Sequence, residues 1–295
     1  MKNLIKGLAL LAIAGLAVFW FVTMPRDLPD DTFAGLTGDV TRGEQVFWAG
    51  GCASCHAAPG AEGDARLVLA GGRAFHSDFG TFHAPNISPS DAGIAGWSIQ
   101  DLGNAMMRGV SPAGAHYYPA FPFTSYVKAD PQDIVDLHAY LQTLPASDTA
   151  DVPHDVGFPF NIRRLLGGWK FLFFREDWTL EPATDPTLIR GRYLVEALGH
   201  CAECHTPRNA LGGLDRARWL GGAPSPDGKG TIPNITPGKL DWSAADIAAY
   251  LKTGFTPDFD SAGGEMAEVV QNMSHLSDDD RAAIAAYLKT VPPVE

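Results

Sequence analysis

Basic residues are scarce in this chain of 295 residues, which has 22 lysines and arginines against 34 aspartates and glutamates. The resulting formal net charge of -12 argues against a nucleic-acid-binding protein and favours docking against basic or neutral partners. Hydrophobic residues make up 45% of the chain, which is typical of a globular protein and not of a disordered or polytopic one. The length is sufficient for two domains of ordinary size.

Long hydrophobic runs are also lacking, apart from one of 18 residues between Gly7 and Met24. Lys2 and Lys6 precede it. A secretory signal would need a small-x-small cleavage site after the apolar core, but the Ala-Ile-Ala triplet at 12–14 lies inside it. We therefore expect residues 1–25 to be an uncleaved, single-pass inner-membrane anchor, with the rest of the chain in the periplasm.

The chain has only four cysteines, and all of them belong to two Cys-x-x-Cys pairs. They form Cys-Ala-Ser-Cys-His at 52–56 and Cys-Ala-Glu-Cys-His at 201–205. Cys-x-x-Cys-His is the attachment signature of c-type haem, in which the histidine ligates the iron. Zinc-binding pairs usually lie about 15–20 residues apart, whereas these motifs are 149 apart, and a thioredoxin-like pair needs a βαβ context. Two covalently bound haem c groups are predicted, held by Cys52, Cys55, His56, Cys201, Cys204 and His205.

The two motifs belong to an internal repeat that covers most of the chain. Pro-Asn-Ile-Ser at 85–88 recurs as Pro-Asn-Ile-Thr at 233–236, and Tyr-Leu at 140–141 recurs at 287–288. The offset between the copies changes by only a few residues along the chain, so the copies differ by short loop changes. The repeat therefore indicates two homologous domains.

Strand signals are missing as well, since no stretch shows a sustained alternation of polar and apolar residues. Apolar residues recur instead at helical spacing, and the fold class predicted is all-α. We place the domains at 38–147 and 187–295, joined at 148–186 by an aromatic and proline-bearing linker without a counterpart in the repeat. The aromatic part of this linker either packs between the domains or forms a docking surface for a partner or the membrane interface.

A second axial iron ligand is expected in the loop before the last helix of each domain. In the second domain Met266 is the expected ligand, and Met273 is the alternative. The local offset of 145 places Phe121 opposite Met266, since 266 - 145 = 121, and phenylalanine cannot bind iron. His116, in the same loop, is the ligand that we predict for the first haem.

Other arrangements of the first haem remain open. Met106 or Met107, on the preceding helix, could supply a thioether, although packing in the core is the commoner role of such residues. The iron could also lack a sixth protein ligand. The two haems are expected to differ in ligation.

Several segments resemble the cytochrome subunits of membrane-bound alcohol, aldehyde, gluconate and fructose dehydrogenases. These segments are Pro-Asn-Ile at 85–87, Tyr-Pro-Ala-Phe-Pro at 118–122, Phe-Pro-Phe-Asn-Ile-Arg at 158–163 and Gly-Glu-Met-Ala-Glu-Val-Val at 264–270. The likeness covers nearly everything after the N-terminal run. Those subunits commonly carry three haem domains, of which this chain has the equivalent of the first two, and they typically have methionine where this chain has Phe121.

The resemblance implies two tandem cytochrome c domains behind one transmembrane helix. It also implies an electron-transfer protein, with no catalytic residues of its own, that takes electrons from a periplasmic dehydrogenase and passes them to a respiratory acceptor. A quinone, another cytochrome or an oxidase could be that acceptor. The alternatives are a peroxidase-like enzyme with an open first iron and an architectural subunit that tethers a dehydrogenase to the membrane.

Overall fold

The computed structural model describes residues 1–180, 184–226, 228 and 230–295. The all-α prediction is confirmed: helices form the body of the molecule, and the strands in the described residues form only two short antiparallel ribbons. The helices are α1 (Lys2–Val22), α2 (Val40–Ala49), α3 (Cys52–His56), α4 (Ile99–Gly103), α5 (Phe123–Tyr126), α6 (Pro131–Leu141), α7 (Leu165–Phe173), α8 (Pro186–Arg192), α9 (Ala202–His205), α10 (Ala244–Thr253), α11 (Glu265–Met273) and α12 (Asp278–Leu288). The ribbons pair β1 (Ala74–Ser77) with β2 (Gly80–His83) and β3 (Ala223–Pro224) with β4 (Thr231–Ile232).

The sequence repeat is also a repeat of helix-starting signals. Ser98 and Ser243 each form a capping box, with Asp101 and Asp246 respectively, at the starts of α4 and α10. A π-helical turn continues α4 over Asn104–Arg108 and another continues α8 over Tyr193–Leu198. Such turns are rare and often occur at functional sites.

In each domain the first and last helices cross at a glycine. A Cβ atom added to Gly43 of α2 would lie 2.0 Å from the carbonyl oxygen of Asp136 in α6. One added to Gly191 of α8 would lie 2.0 Å from the carbonyl oxygen of Ala283 in α12. The two backbones approach so closely that only hydrogen fits between them. This crossing fixes the start of each domain, and the attachment motif that follows it, against the domain's end.

The linker helix α7 contacts both domains, as one of the two interpretations of the linker's aromatic residues predicted. The Trp169 indole nitrogen donates to the carbonyl oxygen of Leu211, at 2.8 Å, and the ring packs edge-on against Phe123. A Cβ on Gly213 would lie 2.4 Å from the ring of Phe173. Other side chains of the linker are exposed, and Phe171 retains 68% of its accessible surface.

The N-terminal helix α1 has no buried residue. It is 21 residues long, and its most apolar window has a mean hydropathy of 2.2. It is therefore long and apolar enough to cross a membrane, as an anchor or as a signal sequence.

Replacing Gly191 by alanine should destabilise the second domain. The added methyl group collides with a backbone oxygen, so the helices must separate, at a cost of about 3 kcal/mol, the upper part of the usual range for overpacking. Thermal unfolding of the haem-loaded protein measures the effect. Gly263→Ala is the matched control, because its Cβ has no atom within 4 Å. Equal unfolding temperatures for the two variants would contradict this account of the crossing.

Candidate haem-binding sites

The first attachment motif forms the short helix α3. It begins after Gly51, whose backbone is left-handed with φ of 67°. The Nδ1 nitrogen of His56 lies 2.8 Å from the carbonyl oxygen of Pro85. A carbonyl oxygen only accepts, so Nδ1 carries the proton and Nε2 keeps a lone pair, which is the form of histidine that binds a metal.

The second motif repeats this geometry. His205 Nδ1 donates to the carbonyl oxygen of Pro233, also at 2.8 Å. The backbone oxygens of the two histidines are held alike, by the amide nitrogens of Gly71 and Gly222, each at 2.7 Å. Each histidine is therefore held at two points, its ring by a proline carbonyl oxygen and its backbone by a glycine amide.

Pro85 and Pro233 are functional residues whose role the sequence reasoning missed. They were recognised as part of the repeated Pro-Asn-Ile segment, but no contact was predicted for them. Their recurrence some 28 or 29 residues after each motif histidine was the available signal. A hydrogen bond of this kind orients the ring and makes its other nitrogen a better ligand.

Removal from water by the surrounding protein lowers the pKa of both His56 and His205, and this outweighs the opposing effect of the proline carbonyl oxygens. The rings are therefore neutral at neutral pH. The same removal from water raises the pKa of Cys52 and Cys201 to about 12 and that of Cys55 to about 11, so these thiols are protonated before haem is attached.

No cysteine is in a disulfide, and the residues described contain no cluster of three or more His, Cys, Asp and Glu side chains that could hold a metal ion. The four cysteines therefore lack the arrangement of a zinc site. The residues fit haem instead. Trp48 and Trp219 have buried indole N–H groups without a hydrogen-bond partner, and such a group costs about 1–3 kcal/mol. The propionate oxygens of haem are acceptors of the kind that buried donors require.

The expected distal ligand of the second haem, Met266, lies in the first turn of α11 and packs, half-buried, against the hydrophobic core. Met273 is buried at the other end of the same helix. Its methyl carbon lies 3.5 Å from where a Cβ of Gly199 would be, and Gly199 directly precedes the attachment segment. Met273 thus packs beside the motif, and Met266 remains the predicted ligand.

The register between the domains, on which the placement of Phe121 rests, recurs in the backbone. Tyr117 donates to the carbonyl oxygen of Gly109, and Ala262 donates to that of Gly254. Both pairs differ by 145, since 109 + 145 = 254 and 117 + 145 = 262. Four residues beyond Tyr117 and Ala262 lie Phe121 and Met266, so Phe121 corresponds to the predicted ligand of the second haem, and its ring lies 5.8 Å from that of Tyr117.

His116, the ligand predicted for the first haem, is buried and makes a contact that the sequence did not suggest. Its Nε2–H donates to the carbonyl oxygen of Thr23, at the end of α1, at 2.9 Å. Nδ1 is buried and has no partner. Ligation through Nε2 would require this bond to break, so ligation by His116 remains a prediction. The alternatives Met106 and Met107 are buried in the π-helical turn.

The two motifs meet at the interface between the domains. Ser54, in the first motif, accepts from the side-chain amide of Asn272 in α11, at 2.6 Å. Its counterpart in the second motif is Glu203, since 54 + 149 = 203, and this carboxylate accepts from Thr124 in α5, also at 2.6 Å. Each motif thus accepts a hydrogen bond from a side chain of the other domain.

Charged side chains reinforce this interface on the side of α11. Arg66 is buried and pairs with Glu268 at 3.0 Å, and Arg73 pairs with Glu265 at 2.6 Å. His200, next to Cys201, stacks edge-on against Tyr126 of the first domain. These pairings could not be predicted, because none of them follows from the spacing along the chain.

The protein-family model "Cytochrome c" matches residues 40–145 and 189–292. The chain belongs to the cytochrome c family. It is 61% identical, over its full length and 99% of the relative, to a "Diheme cytochrome c-type" protein of Cereibacter sphaeroides. This cytochrome accordingly carries two haem c groups, as its motifs predicted.

Other relatives are subunits of larger enzymes. The cytochrome is 37% identical over 86% of its length to the fructose dehydrogenase cytochrome subunit of Gluconobacter japonicus. It is 36% identical over 88% of its length to the gluconate 2-dehydrogenase cytochrome c subunit of Pantoea cypripedii. It spans only 52% and 62% of those two proteins. The family resemblance predicted from the sequence is confirmed.

Glu203 places a negative charge between the two haem motifs of the cytochrome. Its side chain is only 10% exposed. Burial alone would raise the pKa of this carboxyl, but the ion pair with Arg208 and the hydroxyl of Thr124 outweigh burial and hold the pKa below its ordinary value. The carboxylate is therefore ionised at neutral pH.

Met266→Ala should change the second haem and leave the first unaltered. Loss of a thioether ligand lowers the reduction potential or opens the iron to carbon monoxide. Visible spectroscopy with carbon monoxide and a redox titration measure both effects. Met273→Ala is the control for altered packing. Retention of the methionine charge-transfer band in the Met266 variant would exclude this ligand.

Glu203→Gln should raise the reduction potential of the second haem. A negative charge beside the motif favours the oxidised form, because it stabilises the higher positive charge of the oxidised iron, and the ion pair with Arg208 offsets part of this effect. Asp91→Asn, which removes an exposed charge, is the control. An unchanged titration of the Glu203 variant would show that this charge does not act on the haem.

Proposed function

We propose that this cytochrome is a membrane-anchored electron carrier that accepts electrons from a dehydrogenase in the periplasm and passes them to a respiratory acceptor. The observation that carries the proposal is the meeting of the two motifs at one interface, each held by hydrogen bonds from the other domain. When bound, haem supplies one-electron chemistry, and the chain supplies ligation, tuning and docking.

The chain's own residues have three tasks in this function. His56 and His205 present Nε2 to iron, because their other nitrogens are fixed on proline carbonyl oxygens. The packed interface holds the two motifs at a constant separation, which keeps the passage of electrons between them reproducible. Glu203 contributes a fixed negative charge beside both motifs.

The relatives support the identity of the donor class. The Gluconobacter and Pantoea proteins are cytochrome subunits of fructose and gluconate dehydrogenases, and an alcohol dehydrogenase subunit of Gluconobacter oxydans is 33% identical over 86% of this chain. A dehydrogenase of this kind is therefore the proposed partner. The apolar helix α1 supports attachment to the inner membrane.

The test uses native membranes that contain the full-length cytochrome. Fructose, gluconate and ethanol are added in turn, and the α-band of reduced haem c is recorded. We expect one of them to reduce both haems, with reoxidation by oxygen when the respiratory chain is intact. In a strain carrying Cys201→Ala and Cys204→Ala, which lacks the second haem, the remaining haem should no longer be reoxidised by oxygen.

Two results would overturn the carrier proposal. One is turnover of added hydrogen peroxide by the reduced, purified protein, which would identify a peroxidase with an open first iron. The other is full dehydrogenase-to-oxygen electron flow in the strain without the second haem, which would leave only a tethering role.

The first haem is proposed to differ from the second in its sixth ligand. Phe121 stands opposite Met266, and bis-histidine ligation by His56 and His116 would give the first haem the lower potential. Electrons would then pass from the first haem to the second. The bond of His116 to Thr23 supports a competing role, in which this histidine fastens α1.

His116→Ala separates these roles, since each one predicts a different readout. As an iron ligand, His116 is needed for the spectrum and potential of the first haem. If His116 only holds the end of α1 against the first domain, its loss should leave the haem unchanged and make the chain near Arg26 more sensitive to limited proteolysis. Met106→Leu and Met107→Leu are the matched tests of the other candidate ligands. An unaltered first-haem spectrum in the His116 variant would exclude ligation by this residue.

A further inference from the structure

The linker contains the most basic stretch of an acidic protein. Residues 157–175 include three arginines and one lysine and no acidic residue, whereas the whole chain has a net charge of -12. The same stretch exposes large apolar side chains to solvent. These are Phe158, Phe160, Ile162, Leu165, Phe171 and Leu172.

This stretch packs against the end of α1 through backbone and side-chain contacts. A Cβ on Gly167 would lie 2.4 Å from the carbonyl oxygen of Thr23, so the two backbones are in direct contact. Arg164 donates to the carbonyl oxygen of Trp20 at 2.6 Å and to the Thr23 hydroxyl at 2.9 Å. Its guanidinium also lies 4.1 Å from the centre of the Trp20 ring. The position of α7 relative to the end of α1 is thereby fixed.

The contact with Thr23 determines where the exposed apolar residues lie. Leu165, Gly168 and Leu172 follow one another at spacings of three and four, which places them on one side of α7. A Cβ on Gly168 would lie 4.0 Å from the Thr23 methyl group, so this stripe runs beside the end of α1. The apolar surface of α1 continues directly into it.

We propose that residues 158–172 form a second membrane contact, lying in the interfacial layer of the bilayer that α1 crosses. This inference rests on the proposed anchoring by α1. Apolar side chains on a short helix beside basic groups are typical of segments that lie in the headgroup region, where arginine meets lipid phosphate. Large exposed apolar patches rarely remain in water.

A dehydrogenase subunit is the other conceivable occupant of this patch, and two features favour lipid. The patch is continuous with α1, and α1 exposes its apolar residues along its whole length. Arg175, which is exposed at the end of the stretch, also matches the charge of phosphate groups. The exposed residues Phe255 and Phe259, by contrast, belong to the second domain and neighbour Asp258 and Asp260.

The contact would hold the haem domains in one orientation on the membrane. A single transmembrane helix followed by a flexible chain would let them tumble. Here the haem domains would be attached to the membrane at two places. One is the end of α1, which Arg164 holds through Thr23 and Trp20, and the other is the apolar stripe. The face that meets a membrane-bound acceptor is then constant.

The experiment places one spin label on the full-length, haem-loaded protein. All four cysteines are consumed as thioethers, so Phe171→Cys introduces the single free thiol, and Leu172→Cys provides a second position on the same turn. Phe259→Cys is the matched control, since Phe259 is an equally large side chain and is 88% exposed. The labelled proteins are reconstituted into vesicles of phosphatidylcholine and phosphatidylglycerol.

We expect labels at 171 and 172 to collide mainly with oxygen, which concentrates in lipid, and the label at 259 to collide mainly with a water-soluble nickel complex. Equal exposure to nickel at 171, 172 and 259 would overturn the inference. Protection of 171 and 172 only after addition of a purified dehydrogenase would also overturn it, and would identify a protein partner.

Flotation of the same vesicles separates this inference from the anchoring on which it rests. Protein that floats while its labels at 171 and 172 face water retains the anchor and lacks the second contact. Protein that does not float contradicts the anchor itself, and with it the second contact.

Discussion

Each haem site depends on a hydrogen bond from the motif histidine to a proline carbonyl oxygen, 2.8 Å long in both domains. The bond is worth only about 1 kcal/mol in stability, but it decides which nitrogen carries the proton. With Nδ1 on the carbonyl oxygen, Nε2 is the only nitrogen left for iron. The Pro-Asn-Ile loops and the glycines that bind the histidine backbones exist in both copies because this geometry must be met twice.

The interface between the domains follows from the same motifs. Ser54 and Glu203, which lie between the paired cysteines, each accept a hydrogen bond from the other domain. The segments that attach haem therefore also form part of the interface. The ion pair of the buried Arg66 with the partly exposed Glu268 also joins the domains, and a domain docked differently would leave Arg66 without this partner.

The linker joins this pair of domains to α1. Trp169 and Phe173 face the domains, while Gly167 contacts the backbone of Thr23. Lys170 is turned inward, toward the carbonyl oxygens of Arg108 and Gly109, and burial lowers its pKa to about 7. A segment without a counterpart in the repeat thus connects three parts of the molecule, and Trp169 and Phe173 are the aromatic residues that serve this role.

The sequence by itself determined the fold class, the two haem c groups and the resemblance to dehydrogenase cytochrome subunits. These follow from local spacing: two residues between cysteines, an adjacent histidine, and a repeat whose offset hardly changes. The crossing at Gly43 and Gly191, the proline carbonyl acceptors and the contact between the motifs were decided only by the tertiary structure. They join residues between 28 and 218 positions apart, and pairings at such distances are set by the packing of whole helices. His116 shows the difference most clearly, since its place in the loop suggested an iron ligand, and only the folded chain brings Thr23 within reach of its ring.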